Sequence, residues 1–233
     1  MTPRRLWVAL GITLLVVSGV GLWIAAAPEE PADAAPCWAV LEAERDLGPG
    51  PLTSGSPTIA VLGDSYSLGI GVAGPGVAWP AALGERLGAE VIVDGVGGTG
   101  FTTRGFCPEN PVLYGERLDA DPPDAEVVVV QGSVNDATGG RPEDVGAAAE
   151  DVLRDLEGVP TVVVMGPAVI PAAETADLRV IDAALRAAAA DAGRAYVPLL
   201  DADIPILPDR VHPTLAGHQR IAELVAAAIG ATG

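Results

Sequence analysis

Thr58-Ile59-Ala60-Val61-Leu62-Gly63-Asp64-Ser65-Tyr66 is the stretch on which the reading of this chain turns. Its first five residues are apolar or β-branched and do not alternate with polar ones, the pattern of a strand buried on both faces. Gly63 and Asp64 then end the run, and both residue types favour a turn. In an open parallel sheet, ligands sit outside the carboxyl ends of the strands. A strand over 58–62 therefore turns Ser65 toward a cleft. Taken alone, Gly63-Asp64-Ser65 reads first as a tight polar turn, so its meaning depends on whether the chain supplies partners for the serine.

The same strand-like pattern recurs at 90–94, 126–131, 160–165 and 195–199. Between these runs lie helix-like segments at 79–88, 111–118, 142–157, 173–192 and 213–229. The segment at 142 opens on Pro142, Glu143 and Asp144, residues that suit the first turn of a helix and its dipole. The second and third strands are joined by a longer Pro- and Gly-rich connection, 95–125. Strands and helices alternating in this way predict an α/β fold, a single three-layer α/β/α domain around a five-stranded parallel sheet. That domain is expected to occupy residues 58–233.

Ahead of it, residues 1–27 read as an exporting segment. Leu6 to Ala27 is a run of 22 uncharged residues. As a helix it would span about 33 Å, just over the hydrocarbon core of a bilayer. Arg4 and Arg5 precede it and Glu29, Glu30 and Asp33 follow it, so the N-terminus is expected in the cytoplasm and the domain outside. A retained anchor, giving a single-pass membrane protein, competes with a signal peptide cut after small residues. The length of the apolar run and Pro28 just beyond it favour the anchor. Residues 28–57 read as a Pro-rich acidic linker. It contains Cys37, and Cys37 and Cys107 are the chain's two cysteines. In an oxidising compartment they most simply pair with each other.

Charge excludes some partners. The net charge is −18, and none of the 13 basic residues is lysine. Beyond residue 27 the chain carries 11 arginines against 31 acids. Such a field argues against nucleic acid and against an anionic membrane surface.

A serine hydroxyl needs a base before it can attack. The chain has two histidines. His212 lies in Asp209-Arg210-Val211-His212-Pro213, after the last strand and before the last helix, on the rim where Ser65 is expected. Asp209 is close enough along the loop to orient the imidazole and stabilise its cation. His218 falls inside the last helix and reads as a packing or surface residue. Donors for a developing oxyanion are offered by Gly95-Val96-Gly97-Gly98-Thr99-Gly100 and by Asn135 in Gly132-Ser133-Val134-Asn135-Asp136, where Asp136 reads as a loop brace. The glycine stretch also spells the dinucleotide fingerprint, but loop residues rather than a helix follow it, and it belongs to the second βα unit, not the first. The G-x-S-x-G elbow is absent, because Ser67 follows Tyr66.

These blocks, taken together, resemble the SGNH (GDSL-like) hydrolases over residues 58 to about 229. Gly63-Asp64-Ser65 matches the nucleophile block, Val91 to Gly98 the second, Val134-Asn135-Asp136 the third, and Asp209 to Pro213 the last. Trp79-Pro80-Ala81 is also similar to the family. The chain departs from it at Ser133, where glycine is usual, and at Val93, where asparagine is usual. The resemblance implies the flavodoxin-like SGNH fold, Ser65 as nucleophile, His212 as base, Asp209 as its orienting acid, and an oxyanion hole of Ser65, Gly98 and Asn135. It implies no metal or organic cofactor. The expected activity is an exported serine esterase acting on small acyl, lipid or glycan esters. The alternatives are an envelope acyltransferase using the same acyl-enzyme and a membrane-tethered binding module without activity.

Overall fold

The computed structural model describes residues 50–105, 107, 112–120 and 123–232. Leu6–Ala27 and Cys37 lie outside these residues, and with them the expected membrane segment and the Cys37–Cys107 pairing. Cys107 itself is buried. Among the described residues no helix is long and apolar enough to cross a membrane.

Five strands form one parallel sheet: β1 (Thr58–Gly63), β2 (Glu90–Gly95), β3 (Val127–Val130), β4 (Thr161–Met165) and β5 (Ala195–Val197). Their spatial order is β2-β1-β3-β4-β5. The chain moves outward from β1 to β2, then returns to β1's other side, so the strand order reverses between β1 and β3. Ligands gather at such a switch point.

Among the described residues, seven α-helices connect or flank the strands: α1 (Ser65–Leu68), α2 (Trp79–Leu87), α3 (Tyr114–Ala120), α4 (Asn135–Thr138), α5 (Val145–Asp155), α6 (Thr175–Asp191) and α7 (Leu215–Thr232). The five expected helices are present with shifted ends, α3 and α7 running on to Ala120 and Thr232 past the expected 118 and 229, and α1 and α4 are additional single turns. Pro142 does open a helical segment, but Pro142–Asp144 winds as a 3-10 turn before α5 begins at Val145.

The period of two along the strands divides the core. Val127, Val129, Val163 and Met165 pack with Trp79, Leu83, Ile221 and Val225 on the face covered by α2 and α7. Val128, Val130, Val162 and Val164 pack with Leu118, Val152, Ile181 and Leu185 under α3, α5 and α6. All four valines of β3 are buried, as a central strand covered on both faces requires. Together these layers make the three-layer α/β/α sandwich anticipated from the sequence.

Candidate active site

β1 runs through Gly63, and Asp64 caps the single turn α1 that follows. Asp64 is extended (φ −125°), and its Oδ1 accepts from the Tyr66 N–H at 2.9 Å. Ser65 is therefore the first helical residue, whose N–H has no intrahelical partner. Gly69, in the left-handed region at φ 68°, ends α1 after one turn.

His212 reaches Ser65 from a folded-back loop. Ile206 bridges Pro213, and the Leu207 N–H donates to the His212 carbonyl at 2.7 Å, which closes residues 207–212 into a compact turn. Arg210 sits at φ 70° within it, and its guanidinium donates to the Pro171 carbonyl at 2.6 Å, tying the turn to the loop after β4. Inside the turn, Asp209 Oδ1 accepts from the N–H groups of Val211 (2.9 Å) and His212 (3.0 Å). Its Oδ2 lies 2.8 Å from His212 Nδ1, and His212 Nε2 lies 3.0 Å from Ser65 Oγ. Burial pushes the Asp209 carboxyl up, but the two backbone donors and the imidazole outweigh it and hold the group below its ordinary range. An ionised Asp209 accepts the Nδ1 hydrogen, which leaves the Nε2 lone pair facing the serine hydroxyl.

Two neighbours hold this relay. The Tyr66 hydroxyl donates to the Val211 carbonyl at 2.6 Å, and its ring lies 6.1 Å from the His212 ring. Gly71, at φ 86°, passes so close that a Cβ there would stand 2.8 Å from Leu207 Cδ1 and 3.3 Å from His212 Cβ.

The two expected donor loops also meet. Gly98 adopts φ 74°, a conformation that favours glycine. The next residue, Thr99, offers its carbonyl to both Ser133 Oγ (3.1 Å) and Asn135 Nδ2 (3.0 Å). Ser133 Oγ also accepts from the Asn135 N–H at 3.1 Å. The serine that stands where the family usually has glycine thus pins one loop to the other. Asn135 Nδ2 makes a second bond, to Asp64 Oδ2 at 3.0 Å. Its two amide hydrogens therefore both point at protein oxygens, whereas the N–H groups of Ser65 and Gly98 have no acceptor among the described residues. Asp136 is fully buried and takes hydrogen bonds from the Phe101 and Thr102 N–H groups and from the Thr102 and Thr103 hydroxyls, all between 2.9 and 3.0 Å. It is a brace, as the sequence suggested, but for the loop after Gly100 rather than for its own loop 132–136.

Sequence reasoning missed the polar layer beneath Ser65. Gln131, directly after β3, bonds Asp64 Oδ1 through Nε2, and its Oε1 accepts from Ser67 Oγ (2.6 Å) and Trp79 Nε1 (3.1 Å). One signal was available: a glutamine closing a run of four valines. His218 packs inside, as anticipated for a helix-packing residue. Its Nδ1 accepts from the Trp79 N–H at 3.2 Å, and its buried Nε2 has no partner among the described residues. Burial, with the nearby His212 charge, lowers His218 to about 4. Burial raises Asp64 to about 6, against the pull of the Tyr66 and Gln131 donors and of the His212 and Arg117 charges. Arg117 is buried behind the turn, where it donates to the Gly63 carbonyl at 2.8 Å and to Asp94 at 3.0 Å.

Several solved structures share the architecture. TesA superposes with a TM-score of 0.63 at 22% identity, over 76% of this chain and 99% of its own. Est24, a carbohydrate acetylesterase from Sinorhizobium meliloti, gives 0.63 at 15%, over 76% and 100%. A protein from Lactobacillus plantarum gives 0.61 at 22%, over 76% and 98%. At these identities the likeness speaks for the fold. No curated protein matches the chain. A family model does match, over residues 61–220, which include Ser65, Gly98, Asn135, Asp209 and His212. With that match and this architecture, the chain belongs to the GDSL-like lipase/acylhydrolase family, the SGNH hydrolases.

Proposed function

We propose that this chain is a serine esterase that cleaves acyl esters through a covalent acyl-enzyme on Ser65. The observation that carries the reading is the continuous relay from Ser65 Oγ through His212 to Asp209, with contacts of 3.0 and 2.8 Å. His212 Nε2 takes the hydroxyl proton as Oγ bonds to the ester carbonyl carbon. The carbonyl oxygen becomes an oxyanion, met by the Ser65 and Gly98 N–H groups and by Asn135, which exchanges one of its internal acceptors for it. The tetrahedral species collapses, the imidazolium gives its proton to the departing alcohol, and the acyl group stays on Ser65. Water then repeats the cycle, with His212 again as base, and releases the acid. Asp209 holds the tautomer and balances the transient imidazolium.

The substrate is a small ester, and an acetylated sugar belongs among those tested because one structural relative, Est24, is a carbohydrate acetylesterase. The discriminating experiment is a panel of p-nitrophenyl esters from acetyl to palmitoyl plus a peracetylated monosaccharide, with Ser65→Ala as control. Ser65→Ala is expected to lose at least about 10⁴-fold in kcat/KM. Turnover surviving in that variant removes Ser65 from the mechanism. No turnover by the wild type, with no labelling by a fluorophosphonate, leaves the binding-module reading in its place.

We propose further that the domain works outside the cytoplasm, held by residues 1–27 and with Cys37 and Cys107 joined. Arg4 and Arg5 ahead of the apolar run, and the acids behind it, support that orientation. N-terminal sequencing of the exported protein separates anchor from cleaved leader, and thiol counting before and after reduction tests the disulfide.

A further inference from the structure

We infer that Gln131 is a positioning residue for acyl transfer, acting through Asp64 to hold the Asn135 amide and the Ser65 turn in one fixed arrangement. This rests on the esterase reading above and adds to it a residue three contacts away from the reacting atoms.

Trp79 sets the orientation of Gln131. An indole N–H can only donate, so Gln131 must face it with its oxygen, at 3.1 Å. Ser67 Oγ donates to the same oxygen at 2.6 Å. With Oε1 fixed, the carboxamide cannot turn round, because a reversed amide would aim its hydrogens at the indole hydrogen. Nε2 is thereby directed at Asp64 Oδ1. That oxygen also takes the Tyr66 N–H, and Oδ2 takes Asn135 Nδ2. Every one of these neighbours presents a hydrogen to the carboxylate, so Asp64 works as an acceptor only.

The direction of the chain is therefore set from Trp79 inward: indole to glutamine, glutamine to aspartate, and the aspartate drawing both the nucleophile turn and the oxyanion amide. Asp64, Ser67, Gln131 and Trp79 are all almost wholly buried, which keeps water from competing. The backbone makes room for the arrangement. A Cβ on Gly63 would stand 2.1 Å from Ser67 Oγ and 3.1 Å from Gln131 Oε1.

Gln131→Leu keeps approximate size but leaves the Trp79 indole N–H, the Ser67 hydroxyl and one Asp64 acceptor site without partners. Gln131→Glu keeps an oxygen for Trp79 and Ser67 and meets Asp64 only through a shared proton. The charged groups acting on Asp64 are His212 and Arg117, and the neighbouring phenols are Tyr66 and Tyr114. None of these is altered in either variant.

The test measures kcat and KM separately for wild type, Gln131→Leu, Gln131→Glu, Asp64→Asn and the Asp64→Asn/Gln131→Leu double variant. The substrate is the p-nitrophenyl ester the wild type turns over fastest, and circular dichroism monitors folding. Gln131→Leu is expected to lower kcat by roughly 30- to 100-fold with KM within about threefold, as a misplaced catalytic group does. Gln131→Glu, expected to fold even where Gln131→Leu does not, should lose activity relative to wild type as pH rises and the shared proton is lost. The double variant should be little worse than Asp64→Asn, because both substitutions interrupt one route.

A folded Gln131→Leu with kcat within threefold of wild type overturns the inference, as does a Gln131→Glu to wild-type ratio that stays level with pH, or full additivity in the double variant. If instead the wild type cleaves no ester and Ser65 resists fluorophosphonate, the esterase reading itself has failed and this role falls with it.

Discussion

Two aspartates serve the Ser65 region from opposite environments. Asp209 stands on the rim turn with 41% of its side chain exposed, and Asp64 is sealed beneath Ser65. Backbone donors and the imidazole overcome the effect of burial at Asp209 and keep it ionised. At Asp64 burial wins, and its carboxyl rises to about 6 although its partners are donors. On the proposed mechanism, the relay therefore keeps a charge at little cost where the imidazolium forms. The buried layer carries a charge that costs stability and in return fixes geometry. On the proposed mechanism, one region handles protons and the other handles position.

The comparison breaks first at His212. His212→Ala is expected to lower kcat by about 10⁴-fold or more and to leave a residual rate nearly independent of pH. Steady-state rates from pH 5 to 9 check both, and an alanine variant with near-normal rate would take the base out of the relay. Asp209→Asn should lose less, about 10²- to 10⁴-fold, since the solvated turn still holds His212 through its backbone. A loss equal to that of His212→Ala would show the two acting as a single unit.

The buried groups are better probed by stability. Asp64 has a folded pKa raised to about 6, so the folded state binds its proton more tightly than the unfolded chain does. Its contribution is present at acid pH and is lost as pH rises from about 4 to 6. His218 is lowered to about 4, so its contribution is lost as pH falls from about 6.5 to 4. The two oppose each other across the same window, each worth on the order of 2–3 kcal/mol. Relative to wild type, Asp64→Asn should become less stable on acidification from pH 6 to 4, and His218→Gln more stable. Urea titrations at three pH values measure the difference, and like signs for the two variants would contradict this account.

The smallest expected effect joins the two regions. Tyr66→Phe removes the bond from the nucleophile turn to the Val211 carbonyl, worth about 1 kcal/mol. It should lower kcat by roughly three- to tenfold with KM little changed. An unchanged kcat would mean the relay turn is held well enough by Arg210 and its own backbone.

The sequence made some of this legible and not the rest, for physical reasons. Valine-rich runs of 4–6 residues announce buried parallel strands because both faces must be apolar. Ser65, His212 and Asn135 could be found because each follows a strand end or a loop beside one, where a parallel sheet presents its groups. The Asp209–His212 contact is local, three residues apart. The bonds of Gln131 are different. It lies 67 residues from Asp64 and 52 from Trp79, so they exist only once β1, β3 and α2 have packed. Helix ends moved for local reasons, such as the 3-10 turn at Pro142. Ser133, a departure from the family pattern, became intelligible only when its hydroxyl was seen to join the two donor loops.

The separation of Ser65 from His212 by 147 positions has a consequence for biosynthesis. Both donor loops and the nucleophile leave the ribosome well before the turn that carries the base. Until that turn is made and docks through Tyr66 and Pro171, Ser65 is an ordinary alcohol. On the proposed mechanism, a nascent or prematurely terminated chain lacks its base and leaves esters in the compartment where it is made untouched.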